Sequence, residues 1–242
     1  MRFQLNLGGI MNTLLTIDWD YFMPYIHMMN TSYMENKSNI ENHWYRMYLE
    51  NKYSGRDITK IMRTADFLNG FWDKISDKFK INKNIKLIVS DSHKEAYYVA
   101  KEFECGEVYN IDAHTDLGYG GMESLNFELN CANWLGKLLK EHSVYKGDIV
   151  LSPYSMEEPE DFEEINHNFN IEYKSIDNIE KSTEIKAIHI CRSGAWTAPW
   201  LDCEFQKFIN EPSLQCEIRD LPNRVWDIDS INLAKQIECT LF

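Results

Sequence analysis

The sequence predicts an α/β fold with three αβα layers around a mainly parallel central sheet. Strands buried on both faces of a parallel sheet are typically short and almost continuously apolar. Segments with helical spacing separate the runs of this kind, and strands that alternate with helices favour this architecture. The predicted strands are Thr13–Ile17, Ile85–Ser90, Glu107–Ile111, Asp148–Ser152 and Ile185–Cys191.

Four segments are predicted to be helices. Asp57–Phe79 carries apolar residues at helical spacing along one stripe. The second helix begins with a capping box, because Ser92 is followed three residues later by Glu95. Asp229 and Ser230 are expected to cap the last helix. The other three predicted helices are Ser92–Phe103, Asn133–His142 and Ser230–Glu238.

Composition predicts one domain, over residues 13–242, after an N-terminal extension over residues 1–12. A chain of 242 residues with 44% apolar content can bury one sizeable core. The net charge of −13 argues against binding nucleic acid or an anionic membrane surface. Six dispersed cysteines, no long apolar segment and no secretory signal favour the cytoplasm. The sequence leaves the oligomeric state open.

A metal site is predicted where the Glu107–Ile111 strand ends. Asp112, His114 and Asp116 follow it at alternate positions, and alternate residues of a strand point to the same face. Two carboxylates and one imidazole suit Mn²⁺ or a similar divalent cation. The three side chains are therefore expected to converge on a cation.

Two further strands end in residues of the same kind. The Thr13–Ile17 strand leads to Asp18 and Asp20, and the Ile85–Ser90 strand leads to His93 at the predicted start of a helix. Ligands of such sheets bind beyond the carboxyl ends of the strands. Four carboxylates and two imidazoles are about what two neighbouring divalent cations need.

These motifs resemble those of the arginase family. Residues 112–116 match its DAHxD motif, and residues 16–24 resemble its S-x-D-x-D-x-x-D-P motif, with Thr16 for Ser and Met23 where Asp is usual. His93 and its setting resemble the strand-end GGDH element. Arginases run His, DAHxD, DxD, whereas this chain runs DxD, His, DAHxD. That shifted order, over about residues 13–135, resembles the short arginase-like proteins that include peptide arginases, which convert arginine to ornithine within ribosomally made peptides.

The resemblance implies an arginase-like fold with two Mn²⁺ ions. It implies that Asp116 and His114 take part in catalysis, with Asp116 accepting a proton from the attacking water. Attack on the guanidinium carbon of an arginine-containing precursor peptide would release urea and leave ornithine. One metal would be held by His93, Asp112, Asp116 and Asp18, and the other by His114, Asp20 and the shared Asp112 and Asp18.

Substrate contacts are less clearly marked in the sequence. The arginase glutamate that holds the guanidinium has no motif-level counterpart here, and neither has the histidine-containing proton-shuttle loop. Arg192, Trp196 and Asn133 are predicted to contact the substrate, although the tryptophan could equally cover the sheet edge. The acidic stretch Glu157–Glu164 is interpreted as a solvated loop, and His189 as a buried residue without a metal.

Three alternatives stay open at this point. The chain could be a ureohydrolase or amidohydrolase that acts on a small guanidino compound or an acylated amine. It could instead be a phosphatase-like or non-catalytic DxD protein, with Asp18 as the phosphoryl acceptor in the first case. Asp227 and Asp229 form a rival DxD that would restore the usual arginase order, but no long apolar strand precedes them.

Overall fold

The computed structural model describes residues 11–28, 35 and 40–241. Most of the predicted N-terminal extension, residues 1–10, lies outside the described residues. The described strands are β1 (Thr13–Asp18), β2 (Phe79–Lys80), β3 (Lys86–Ser90), β4 (Glu107–Asp112), β5 (Lys146–Leu151), β6 (Ile171–Tyr173), β7 (Thr183–Glu184), β8 (Ala187–Cys191) and β9 (Gln215–Ile218).

The α-helices alternate with these strands along much of the described chain. They are α1 (Ile40–Tyr53), α2 (Ile58–Ile61), α3 (Phe71–Lys78), α4 (Glu95–Glu102), α5 (Trp134–Lys140), α6 (Glu163–Asn168), α7 (Asp202–Asn210) and α8 (Leu233–Leu241). No helix within the described ranges combines the length and the apolar character that crossing a bilayer requires.

Seven strands form one parallel sheet in the order β6-β5-β4-β1-β8-β3-β9. The strands β2 and β7 pair separately. The strand β1 is central, with β4 on one side and β8 on the other, and β3 follows β8. All their carboxyl ends therefore meet at one edge, where ligands of open α/β sheets bind.

Helices cover both faces of the sheet, which confirms the predicted three-layer α/β fold. Alternate residues of the buried strands supply the two faces: Leu15 and Ile17 of β1 pack into one hydrophobic core, and Leu14 packs into the other. The first core includes buried residues of α1, α3 and α7, and the second includes those of α4, α5 and α6.

Two predicted helices differ in the structure. The segment 57–79 is divided into α2, a 3-10 turn at Asp66–Leu68, and α3. The chain leaves the helix first at Met62, which is extended. Gly70, whose φ of 74° is left-handed, then separates the 3-10 turn from α3. The predicted capping box also does not form, since α4 begins at Glu95, and Ser92 lies in the preceding turn with its hydroxyl accepting from the Lys94 amide.

Candidate metal centre

The six predicted ligands converge at the carboxyl edge of the sheet. Asp18, His93 and Asp112 form one group that could hold a metal ion, and Asp20, Asp112 and His114 form a second. Within each group the potential ligand atoms lie within 4.8 Å of one another. Asp112 belongs to both groups, so its carboxylate could serve as a ligand in either of them.

The backbone brings these side chains together in a different way from the one that the sequence predicted. The strands end at Asp18 and Asp112, so strand alternation does not position the later ligands. Asp20 lies in a 3-10 turn over Trp19–Phe22. His114 and Asp116 lie in the loop after β4, where Asp116 has a φ of 55°. A left-handed residue other than glycine is uncommon, and aspartate is among the residues that adopt this conformation most readily.

The first group is arranged around the Nδ1 atom of His93. This nitrogen lies 3.2 Å from Asp18 Oδ2, 3.0 Å from Asp112 Oδ2 and 2.8 Å from Asp116 Oδ2. His93 is only 2% exposed, and its Nδ1 makes no contact of hydrogen-bond geometry with the described residues. A buried polar nitrogen without such a bond is costly. The surrounding oxygen and nitrogen atoms could hold a divalent cation.

The second group is arranged around the Nδ1 atom of His114. It lies 3.1 Å from Asp20 Oδ2 and 3.6 Å from Asp112 Oδ1. Backbone amides hold the carboxylates, because the His114 N–H donates to Asp112 Oδ1 at 2.9 Å and the Ala113 N–H donates to Asp20 Oδ1 at 3.3 Å. The side chain of His114 is 29% exposed, so this group faces the opening of the site.

Like charges in a buried setting shift the pKa values of the carboxylates. Burial, followed by the charges of Asp20 and Asp112, raises the pKa of Asp18 well above its usual range. Burial and the charge of Asp112 likewise raise the pKa of Asp20, and raise that of Asp116 to about 7. Burial acts in the same direction on Asp112, but the contact with His114 and the charge of His93 outweigh it and hold the pKa of Asp112 below its ordinary value.

The pKa values of the two histidines are also raised, although burial alone would lower them. Burial disfavours the charged ring of His93, but the charge of Asp116 and the contact with Asp112 outweigh it and raise its pKa well above the usual 6.5. Burial of His114 is outweighed in the same way by Asp20 and Asp112, so its pKa also rises well above 6.5. The carboxylates therefore favour positive charge in their midst, whether carried by protons or by metal ions.

Residues that the sequence did not mark hold the ligands in place. The Trp134 indole N–H donates to Asp116 Oδ2, and the Ser193 hydroxyl donates to Asp18 Oδ2. The Leu135 and Gly136 amides of α5 also donate to the Asp116 carbonyl, at 3.2 and 3.3 Å. Helix α5 and the loop after β8 therefore support the cluster from two sides.

A polar layer lies beneath the ligands. Thr16 is two residues before Asp18 on β1, and it is in register with Asn110 of β4 and His189 of β8. Thr16 and His189 are fully buried and hydrogen-bonded to each other. Burial, with a smaller contribution from the charge of His93, lowers the pKa of His189 well below its usual value. His189 is thus a hydrogen-bonded buried residue, as the sequence predicted.

The cluster lies in a cavity of about 250 Å³. Besides the metal-centre residues, its lining includes Tyr119, Cys131, Met156, Glu157 and Trp196. This corrects the sequence interpretation of Glu157 as part of a solvated loop. Its carboxylate accepts from the Thr115 amide at 2.7 Å and from the Tyr119 hydroxyl. These bonds fix Glu157 at the cavity wall, whereas its neighbours Glu158 and Glu160 are exposed.

Of the three residues predicted to contact the substrate, one lies at the cavity and two do not. Trp196 lines the cavity. Arg192 is 3% exposed and lies outside that lining, with its guanidinium bonded to Asp91 and to the Pro222 carbonyl. Asn133 is also buried outside the lining, where it accepts from the Asn130 amide and donates to the Glu128 carbonyl. The structure thus brings only Trp196 of the three to the cavity.

The rival DxD is placed away from the cluster. The Asp227 side chain accepts from the amides of Asp229 and Ser230 and caps a 3-10 turn. Neither aspartate belongs to a potential metal group among the described residues. The predicted cap of the last helix is also wrong, because Asn232 accepts from the Lys235 amide at the start of α8.

The chain was compared with protein-family models, with curated proteins and with solved structures, and none of them matched. The resemblance to arginases therefore depends on the motifs around Asp18, His93 and Asp112.

Proposed function

We propose that this protein is a binuclear manganese hydrolase that cleaves the guanidino group of arginine residues in a peptide, giving ornithine and urea. The observation that carries the proposal is a pair of carboxylate–imidazole groups that share the buried Asp112. Their other members line one cavity, namely Asp18, Asp20, His93 and His114. Two divalent cations a few ångström apart, joined by a shared carboxylate, are a recurring arrangement for metal-assisted hydrolysis.

The chain's own residues suit this chemistry. Two bound cations would lower the pKa of water between them and so supply a nucleophile near neutral pH. Asp116 lies beside the first group, with its Oδ2 2.8 Å from His93 Nδ1, where a carboxylate could accept a proton from the attacking water. His114 is the partly exposed member of the second group and lines the cavity, so it would face an entering substrate.

Glu157 supports a cationic substrate. It is an acidic side chain of the cavity lining that belongs to neither metal group. Its two oxygens each accept one hydrogen bond from the protein, and carboxylate oxygens retain further acceptor capacity. A guanidinium is planar and pairs with carboxylates through parallel N–H bonds. We therefore assign Glu157 to the guanidinium, a role for which the sequence offered no motif.

The volume of the cavity favours a single side chain over a larger ligand. Its volume of about 250 Å³ is below the roughly 300–1,000 Å³ of pockets that hold drug-sized ligands. Met156 and Tyr119 are exposed at its wall, where apolar and aromatic surface is available to a peptide backbone. One arginine side chain could enter while the rest of the peptide stays outside.

Mass spectrometry of peptides tests the proposal. Mn²⁺-loaded protein is incubated with arginine-containing peptides and, separately, with free arginine. A mass decrease equal to cyanamide in the peptides, absent with Asp112→Ala, is the expected result. Conversion of free arginine alone would favour the small-molecule alternative, and no change in any guanidino substrate would contradict the proposal.

The phosphatase alternative is tested with the same preparation. It requires Asp18 as a phosphoryl acceptor and gives no role to His114. Mg²⁺-dependent phosphatase activity that is lost in Asp18→Asn and retained in His114→Ala would favour it. The position of His114 Nδ1 beside Asp20 and Asp112 instead leads us to expect that both variants lose metal.

A further inference from the structure

A chain of four buried polar groups begins at the ligand His93. Its Nε2 lies 2.7 Å from Thr16 Oγ1, and that hydroxyl lies 3.0 Å from His189 Nδ1. On the far side of the ring, His189 Nε2 lies 2.9 Å from Ser90 Oγ, which donates to the Ser92 carbonyl at 2.8 Å. All four side chains are at most 2% exposed, so water does not compete for these bonds.

The carbonyl at the end of the chain fixes the direction of every bond in it. A carbonyl oxygen only accepts, and a serine hydroxyl has one hydrogen to donate. Because Ser90 donates that hydrogen to Ser92, its oxygen must accept from His189 Nε2. The neutral His189 ring then has no hydrogen on Nδ1, which accepts the Thr16 hydroxyl hydrogen. The Thr16 oxygen in turn accepts from His93 Nε2.

We infer that His189 and Thr16 act as positioning residues that hold the hydrogen of His93 on Nε2 and direct its Nδ1 lone pair at the first metal. That nitrogen faces Asp18, Asp112 and Asp116 and makes no hydrogen bond with the described residues. The opposite polarity would place a hydrogen on Nδ1 and block coordination. Metal-bound histidines commonly donate their other N–H to an outer partner, which fixes their tautomer and orientation.

The inference rests on the metal centre of the proposed function, but not on its guanidino chemistry. Thr16→Val keeps the shape of the side chain and removes the hydroxyl, whereas Thr16→Ser keeps the hydroxyl. Thr13→Val is a matched control, because Thr13 is a buried, hydrogen-bonded threonine of the same strand that contacts Glu107 rather than a ligand. The thermal midpoint of each variant reports on the fold separately.

Calorimetric titration with Mn²⁺ tests the effect on the metal. In Thr16→Val we expect one of the two sites to bind about 10- to 100-fold more weakly and the other to be unchanged. Thr16→Ser and Thr13→Val should bind as the wild type does. Wild-type affinity at both sites of folded Thr16→Val would overturn the inference, whereas a wild-type protein that takes up no Mn²⁺ would contradict the metal centre itself.

Nitrogen NMR of histidine-labelled wild-type protein tests the direction of the chain without any metal. The signal of His189 is assigned by its loss in His189→Gln. We expect the neutral tautomer with its hydrogen on Nε2. A hydrogen on Nδ1 would reverse every bond back to His93 and overturn the inference, even if Thr16→Val weakened metal binding.

Discussion

The two histidines of the candidate metal centre would carry protons that a metal ion must displace. The pKa values of His93 and His114 lie well above 6.5, and that of Asp116 is about 7. Below these values the groups hold protons, and a metal ion competes with them. Above them the groups are deprotonated, so the competition ends.

Mn²⁺ affinity is therefore expected to rise with pH between 6 and 8. Each proton released contributes about a tenfold gain per pH unit. Calorimetry in two buffers with different protonation enthalpies measures the number of protons released. A dissociation constant that does not change over this range would contradict the release of protons when the metal binds.

Glu157→Gln tests the residue assigned to the guanidinium. The amide keeps the shape and one acceptor oxygen but loses the charge that pairs with a cation. We expect kcat/KM for arginine-containing peptides to fall about 10- to 100-fold, because a hydrogen bond to a charged group is worth about 1.5–3 kcal/mol.

Two controls accompany this variant. Mn²⁺ affinity should be unchanged, because Glu157 belongs to neither metal group. Glu158→Gln, at an exposed neighbouring position, should leave kcat/KM unaltered. Equal activity of Glu157→Gln and wild type would exclude a role for this carboxylate in substrate binding.

The positions of the candidate ligands were predictable from the sequence because these residues lie at or just after the ends of apolar strands. Asp18, His93 and Asp112 each mark the place where a buried strand reaches the edge of the sheet. Glu157 and Ser193 were not predictable in this way, since their positions depend on how two loops fold over that edge. The orientation of the Arg192 side chain could not be predicted either, because its partner Asp91 is 101 residues away in the sequence.

At the scale of the elements, helix α5 fixes the loop that carries His114 and Asp116. Its Trp134 side chain and two of its first amides bond to Asp116. Gly136 allows this approach, because a Cβ there would overlap the Leu117 carbonyl oxygen and crowd Leu125. The contact between the helix and this loop thus depends on one small residue.

Gly136→Ala is expected to force α5 away from the loop. Overpacking at a tight contact typically costs about 1–3 kcal/mol of unfolding free energy, and the displaced loop should also bind Mn²⁺ more weakly. Chemical denaturation and metal titration measure the two effects. Gly147→Ala in β5 is the control, because its Cβ would find its nearest neighbour at 3.7 Å. Equal stability of the two variants would contradict the prediction.

The sheet was predictable because its strands are apolar runs buried between helices. The division of the segment 57–79 was not predictable from its helical stripe, since the stripe continues through Gly70. Helix periodicity records which side chains face the core. It does not record where the backbone leaves the helix.

For the whole molecule, metal binding should be coupled to stability. A ligand that binds only the folded chain stabilises it by about 2.7 kcal/mol at one hundred times its dissociation constant. We expect Mn²⁺ to raise the thermal midpoint of the wild type by several degrees, roughly 2–4 °C for each kcal/mol. A chelator should reverse the shift, which differential scanning calorimetry would measure.

The Asp18→Asn variant separates stabilisation by Mn²⁺ from the stability of the metal-free fold. Burial and neighbouring charges raise the pKa of Asp18 well above its usual range, so a neutral amide should leave the midpoint without Mn²⁺ nearly unchanged. The shift on adding Mn²⁺ should be lost. A full shift in Asp18→Asn would place the stabilising cations elsewhere.

The central position of β1 also determines when the site can form during synthesis. Its two neighbours in the sheet, β4 and β8, begin at Glu107 and Ala187, so the first of these strands leaves the ribosome long before the last. Asp112 is available to pack beside Asp18 after about half of the chain has been made. Ser193, which donates to Asp18, is available only when more than three-quarters has emerged. A nascent chain halted before Ala187 would therefore contain every predicted metal ligand. It would still lack β8, the strand that pairs with both β1 and β3. Ribosome-bound chains of increasing length should acquire tight Mn²⁺ binding only once β8 is free to join β1.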